Sequence, residues 1–293
     1  MLTITGNTKL LGIIGDPVEH SLSPLMQNAA IEELGLDYIY LPFPVKATNL
    51  EQALAGFAAV GVVGFNATIP HKQVIMPFLD HITEVARDIG AVNTVWHTKD
   101  GWHGTNTDVT GFIAPLKNIS KDWSNTNPVV LGNGGAARAV VAGLANLGCR
   151  EINIVGRNKD KLAQFWQSWQ NSPKIQTILK IHDWENLSGL VSIADLLVNT
   201  TPIGMYPHID ASPVSAELMQ KLPKRAIAYD LIYTPSPTQF LTLARENGAK
   251  AIDGLEMLVQ QGAAALEIWL QQPVPVEVIN LMRRALQQKL YGE

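Results

Sequence analysis

The sequence predicts an α/β protein with an N-terminal α/β substrate domain, a Rossmann nucleotide domain, and C-terminal helices that return to the first domain. Two observations predict it. Apolar runs of strand length alternate with helix-like runs along the whole chain, the pattern of a layered α/β fold. In mid-chain the apolar Val130-Leu131 stops at Gly132-Asn133-Gly134-Gly135-Ala136-Ala137-Arg138, and a small-residue helix is expected from about Ala136 to Gly148. A second strand, Glu151 to Gly156, follows at the spacing of a βαβ unit.

Taken in order, Leu10 to Gly15 is a first strand. Pro24 to Gly35 is a helix with Pro near its start and Gly past its end. Tyr38 to Val45 is a strand, and Asn49 to Val60 is an amphipathic helix capped near Thr48 or Asn49. Val62 to Ala67 is a third strand, with helical segments expected at Lys72 to Leu79 and Thr83 to Gly90. Val92 to Trp96 and Trp102 to Thr105 form a hairpin around the turn signal Lys99-Asp100-Gly101. A polar stretch from Lys117 to Pro128 precedes the nucleotide strand. Beyond the first βαβ unit, strands are expected at Ile175 to Ile181, Leu196 to Asn199 and Ala226 to Leu231, and helices at Lys159 to Trp169 and Thr238 to Asn247. The tail from Gly254 is helical and broken at Pro273 and Pro275. The expected domains are residues 1–110 with 254–293, and residues 111–253.

The glycine loop has a specific chemistry. Gly132 permits a tight turn, Gly134 lets backbone N–H groups approach a pyrophosphate, and Ala137 lets the helix pack close to the sheet. The helix N-terminus adds partial positive charge. The tip of the second strand suggests which dinucleotide is bound. An NAD site calls for Asp or Glu about 20 residues past the glycines, to accept the ribose 2′-hydroxyl. This chain has Gly156-Arg157-Asn158-Lys159 and then Lys161, with Asp160 expected in the first turn of the helix. A guanidinium with ammonium groups nearby suits a 2′-phosphate, so NADP is expected over NAD.

The formal net charge of −4 over 293 residues gives no reason to expect a nucleic acid or an anionic membrane as partner. One cysteine, Cys149, excludes an internal disulfide and any multi-cysteine metal site, and a buried structural thiol is expected there. The seven histidines are scattered without ligand spacing, so no metal is expected. The segment Met1 to Leu11 has no apolar leader core, and the expected compartment is the cytoplasm. A monomer or homodimer is expected.

Polar motifs interrupt the apolar segments of the first domain. Ser21-Leu22-Ser23-Pro24 follows the first strand, and Asn66-Ala67-Thr68-Ile69-Pro70-His71-Lys72 follows the third. Gly90-Ala91-Val92-Asn93-Thr94 opens the hairpin and Asn106-Thr107-Asp108 closes it. Ligands of open α/β sheets collect beyond the carboxyl ends of strands, which is where Ser21, Ser23, Thr68 and Lys72 fall. Bland readings exist for each: Ser23 as a helix cap, Asn93 and Asn106 as turn residues, Lys72 as a solvated lysine.

Together with Asn199-Thr200-Thr201-Pro202-Ile203-Gly204-Met205, Asp230-Leu231-Ile232-Tyr233 and Asp253-Gly254-Leu255-Glu256-Met257-Leu258-Val259-Gln260-Gln261-Gly262, these motifs give the chain its likeness to a family. Over essentially its whole length it resembles the shikimate dehydrogenases, NADP-dependent oxidoreductases that interconvert 3-dehydroshikimate and shikimate. The resemblance implies that Lys72 is the catalytic acid/base, with Asp108 as its partner. It implies that Ser21, Ser23 and Tyr233 receive the substrate carboxylate and that Thr68, Asn93, Asp108 and Gln261 receive its hydroxyls, with Asn66 also among the substrate-binding residues. Glu84, Gly132, Asn133, Gly134, Gly135, Ala136, Arg157, Asn158, Lys161, Leu231 and Gly254 would contact the cofactor. Where many members have Asn-Arg-Thr, this chain has Gly156-Arg157-Asn158.

On this reading a hydride passes between the nicotinamide and the carbon bearing the reacting oxygen, while Lys72 handles the proton. The alternatives are a quinate or dual quinate/shikimate dehydrogenase, and a non-catalytic metabolite sensor. A sensor has no need of both Lys72 and Asp108.

Overall fold

The computed structural model describes residues 3–292. Met1, Leu2 and Glu293, the outermost residues of the expected first domain, lie outside the described residues. The chain divides into two compact units, Met1–Gly111 with Leu258–Glu293, and Phe112–Met257.

The first unit is built on a six-stranded mixed sheet. Strand β1 (Lys9–Gly15), helix α1 (Ser23–Glu33), strand β2 (Tyr38–Pro44), helix α2 (Leu50–Ala59) and strand β3 (Val62–Ala67) make successive βαβ crossovers. They leave β1 parallel to β2 on one side and to β3 on the other. Short helix α3 (His71–Val74), two-residue strand β4 (His81–Ile82) and helix α4 (Glu84–Ile89) lead into the hairpin of β5 (Thr94–Thr98) and β6 (Gly101–Thr105). The sheet order is β2-β1-β3-β5-β6-β4. Strand β1 is buried from Leu11 to Gly15, as a central parallel strand covered on both faces must be. Phe65, Val95, Ile75, Leu50 and Trp102 anchor one core layer of this sheet.

Helix α5 (Asp108–Lys117) leads from the first unit into the second. There, strand β7 (Pro128–Leu131), helix α6 (Gly135–Asn146), strand β8 (Ile152–Gly156), helices α7 (Lys159–Gln167) and α8 (Pro173–Ile178) and strand β9 (Leu179–Asp183) form the first half. Helix α9 (Leu187–Ile193), strand β10 (Leu196–Asn199), helix α10 (Ala216–Met219), strand β11 (Ile227–Asp230), helix α11 (Gln239–Glu246) and strand β12 (Lys250–Ile252) form the second. All six strands are parallel, in the order β12-β11-β10-β7-β8-β9. Chain direction across the sheet reverses at β7, the switch point where a doubly wound sheet opens a crevice for a nucleotide.

Helix α12 (Leu255–Leu270) starts in the second unit and carries the chain back to the first, where α13 (Val276–Tyr291) packs on α1. The approach of α12 to the sheet is close. A Cβ on Gly64 would lie 2.3 Å from the Trp269 indole nitrogen, which donates to the Val95 carbonyl at 2.9 Å.

Several expectations need correction. Ile175 to Ile178 is helical, because Ser172-Pro173 starts a helix with Pro in its first turn, and only Leu179–Asp183 pairs with β8. The helix expected over Lys72 to Leu79 ends at Val74, and a 3-10 turn takes over at Met76–Phe78, since Pro77 has no N–H to continue it. Asn49 precedes α2 without capping it through its side chain. The first hairpin strand starts at Thr94, two residues later than expected, because the Asn93 side chain bonds across the loop instead. Among the described residues no helix is long and apolar enough to cross a membrane, and no group of His, Cys, Asp or Glu is placed to hold a metal ion. Cys149 is buried.

Candidate active site

In the first unit, Lys72 sits in α3 just beyond the carboxyl end of β3, and its carbonyl accepts from Val92 N at 2.7 Å. That bond ties the start of α3 to the loop before β5. The Lys72 Nζ reaches Asp108 Oδ2 at 2.6 Å. Both side chains keep some access to solvent, 27% for Lys72 and 11% for Asp108, so the pair is open to a ligand. Asp108 is the first residue of α5, and its N–H donates to Asn106 Oδ1. Its second oxygen, Oδ1, accepts from Asn93 Nδ2 at 2.9 Å. The carboxylate is thus fixed by an amide on one oxygen and an ammonium on the other. Such a pair can pass a proton to or from an oxygen placed beside it.

Asn93 is the hub of this arrangement. Its Oδ1 accepts from Thr107 N at 2.8 Å and from Thr94 Oγ1 at 2.9 Å. Its Nδ2 also lies 3.4 Å from Gln261 Oε1, so α12 contributes to the same cluster. Gln261 in turn donates to the Leu258 carbonyl. Asn106 donates to the Ala91 carbonyl at 3.0 Å, which closes the loop on itself. The turn reading of Asn93 and Asn106 therefore understates them.

Ser21 and Ser23 lie on the segment between β1 and α1. The capping position of α1 is Leu22, with no side-chain cap, so Ser23 is inside the helix and its hydroxyl is not a cap. Ser21 Oγ accepts from Ser23 N at 3.3 Å. The phenol of Tyr40 is fully buried, and burial strongly disfavours its ionisation. The Tyr40 hydroxyl donates to Asn66 Oδ1 at 2.7 Å, and Asn66 Nδ2 donates to the Asn93 carbonyl and to Thr94 Oγ1. Asn66 is only 5% exposed and all of its amide is engaged by the protein. It organises the site from behind. Thr68 is pinned to β1 through the Ile14 carbonyl, and Gly15 leaves room for its methyl, since a Cβ there would sit 2.7 Å away. His71 is structural: its Nε2 donates to the Val45 carbonyl at 2.6 Å.

In the second unit, Gly132 adopts φ +102°, and a Cβ there would lie 2.9 Å from Thr200 Oγ1. Only glycine suits both demands. Gly134, Gly135 and Ala136 are exposed at the start of α6, and a Cβ at either glycine would meet nothing within 4 Å. The free helix N-terminus and the bare backbone fit an anionic pyrophosphate. Asn133 lies beside them on the same loop. Gly254 is crowded: a Cβ would lie 2.1 Å from the Leu231 carbonyl oxygen, which brings these two candidate cofactor residues together. Arg157 is exposed with its guanidinium over the Trp184 ring, 4.8 Å from the centroid. Asn158 caps α7 by accepting from Lys161 N, and Lys159 pairs with Asp183 at 3.0 Å. Asp160 falls in the first turn of α7. The unit thus offers an open helix N-terminus and a cationic strand tip, the donor set an NADP molecule needs.

Tyr233 belongs to the second unit and is half-buried, with its phenol pKa pushed up by desolvation. Glu84 belongs to the first unit, exposed in the opening turn of α4. No contact there gives it a part in the network. Sequence patterns missed Tyr40, Thr94 and Thr107 as parts of the first-unit network. They also missed Asp230, a fully buried carboxylate that binds Asn199, Ile232 N and Thr238. Asp230 and Thr107 lie inside motifs already quoted, which was their signal; Tyr40 had none.

The family model described as the shikimate dehydrogenase substrate binding domain matches residues 13–95, and that described as the shikimate 5'-dehydrogenase C-terminal domain matches residues 254–287. A curated relative from Crocosphaera subtropica, named Shikimate dehydrogenase (NADP(+)), is 64% identical over 292 residues, which cover 100% of each chain. The crystal structure of shikimate dehydrogenase from Aquifex aeolicus superposes with a TM-score of 0.86 at 35% identity, over 97% of this chain and 100% of that one. The Thermus thermophilus enzyme, solved in complex with NADP(H) and shikimate, gives a TM-score of 0.81 at 33% identity, over 94% and 99%.

Proposed function

Because the chain belongs to the shikimate dehydrogenase family, and is an NADP-dependent oxidoreductase that forms shikimate from 3-dehydroshikimate in aromatic amino-acid biosynthesis, we propose that Lys72 and Asp108 are the pair that handles its proton. The 2.6 Å bond between them is the observation that carries this reading. NADPH, when bound, supplies the hydride. As the substrate carbonyl gains charge, the Lys72 ammonium stabilises the developing alkoxide and donates the proton to it. In the oxidative direction the amine takes that proton back. Asp108, locked by Asn93, holds Nζ in place and favours its charged form, and the partly exposed amine regains its proton from solvent after each reductive transfer.

The segment 1–110 with 254–293 is assigned to the substrate and 111–253 to NADP. Ser21, Ser23 and Tyr233 are assigned to the substrate carboxylate, and Thr68, Asn93, Asp108 and Gln261 to its hydroxyls. Asn66 supports them through Asn93 and Thr94. The α6 N-terminus with Gly132, Asn133, Gly134, Gly135 and Ala136 is assigned to the pyrophosphate, and Arg157, Asn158 and Lys161 to the 2′-phosphate end. Leu231 and Gly254 are assigned to the rest of the cofactor, and Glu84 is kept as a cofactor contact on family likeness alone. NADPH is an intracellular reductant, which supports a cytoplasmic enzyme. Turnover measured with shikimate and quinate, each against NADP and NAD, tests the assignment. Shikimate with NADP is expected to dominate, and equal or better turnover of quinate with NAD would overturn it.

A further inference from the structure

Strands β8 and β9 run parallel with Gly156 directly opposite Asp183. The next residue on each strand leaves the sheet at the same level, so Arg157 and Trp184 emerge side by side. The indole of Trp184 packs against a core cluster that includes Val155, Leu187 and Val191, which fixes its plane. The exposed guanidinium of Arg157 lies over that plane, 4.8 Å from the ring centroid. An unsupported surface arginine samples many rotamers, whereas a guanidinium stacked on a fixed ring holds its fork of donors in one orientation. The neighbouring cation is differently employed: Lys159 is paired with Asp183 at 3.0 Å, so much of its charge is already balanced.

We infer that Trp184 is a positioning residue that sets the preference for NADP over NAD by holding Arg157 ready for the 2′-phosphate. This rests on the assignment of Arg157 to that phosphate. Trp184 touches the arginine and needs no contact with the cofactor. Its effect is confined to ligands carrying a 2′-phosphate.

The test is calorimetric binding of NADPH, NADH, adenosine 2′,5′-bisphosphate and 5′-AMP to the intact protein. Trp184→Leu keeps apolar packing but removes the ring face. It is expected to weaken NADPH and the bisphosphate about three- to tenfold, while NADH and 5′-AMP change less than about twofold. Trp184→Phe, which restores a ring, is expected to recover most of the loss. In an Arg157→Ala background, Trp184→Leu is expected to have no further effect. Equal losses for the phosphorylated and unphosphorylated ligands would overturn the inference in favour of a merely structural tryptophan. So would a loss that persists without Arg157. Should Trp184→Leu fail to fold, the same comparison is made with Trp184→Met. If Arg157→Ala alone leaves the NADPH/NADH ratio unchanged, it is the underlying assignment that fails, and the inference with it.

Discussion

Lys72 and Asp108 are 36 residues apart in sequence, yet Nζ and Oδ2 are 2.6 Å apart, because the Val92–Lys72 backbone bond and the Asn93 amide draw α3 and the start of α5 to one point. Neither residue reaches its position through local structure alone. The Lys72–Asp108 ion pair is a product of the loops around β5.

Lys72→Ala is expected to lower kcat by about 10²–10⁴-fold, the usual contribution of a general acid–base group. Shikimate affinity should stay within about tenfold, since the residues assigned to its carboxylate and hydroxyls are untouched. Steady-state kinetics together with equilibrium binding separates the two. A variant with near-native kcat would remove Lys72 from the mechanism.

Ser21→Ala and Ser23→Ala are expected to differ. Each removes a hydroxyl assigned to a charged group, worth about 1.5–3 kcal/mol, and should raise KM for shikimate by about tenfold or more. Ser23→Ala should also lower the melting temperature, because it removes a hydroxyl from a buried position, 5% exposed, whereas Ser21 is only partly buried. A Ser21→Ala protein that loses stability but keeps its KM would rule out the carboxylate role for Ser21.

For Asn66, the expected signature is stability. Asn66→Ala leaves the buried Tyr40 hydroxyl without its acceptor and removes one of the bonds to Thr94 Oγ1, a loss of about 1–3 kcal/mol by urea denaturation. If the variant unfolds like wild type while KM rises sharply, Asn66 contacts substrate directly.

Asp230 makes a prediction in pH. Burial, with Asp253 adding like charge, pushes its carboxyl up to about 6, even though Thr238, Ile232 N and Asn199 all favour the anion. An unfolded aspartate releases its proton near pH 4. Between those values the folded state binds more protons, so this group's contribution to stability falls as pH rises from about 4 to 6. Asp230→Asn cannot ionise. Between pH 4 and pH 7 the stability difference should move in the variant's favour by up to about 2–3 kcal/mol. Denaturation curves at several pH values read this directly, and a difference independent of pH would contradict the raised value.

Much of this was legible in the sequence because the informative signals were local. The central parallel strands are short apolar runs with turn residues behind them, and the glycine loop carries its own geometry. Helix α5 was not legible. Pro115 reads as a breaker beside a polar stretch, and the helix stands because Phe112 and Leu116 are fully buried. The edge strands β4 and β12, of two and three residues, are too short to show a period. Tyr40 sits mid-strand, where an aromatic residue is ordinary, and only the fold brings its hydroxyl to Asn66. Trp184 acquires its neighbour from the pairing of Gly156 with Asp183, which no spacing in the sequence encodes.

The division of the first unit between the two ends of the chain has a consequence during synthesis. The second unit is one uninterrupted stretch and emerges from the ribosome whole. The first sheet emerges earlier, but Gly64 and Val95 must wait for Trp269, and Asn93 must wait for Gln261. The part of the molecule that begins first is therefore completed last. A nascent chain stalled before Leu258 would carry the whole second unit, while the Asn93 network of the first would still lack Gln261 and the sheet would lack Trp269.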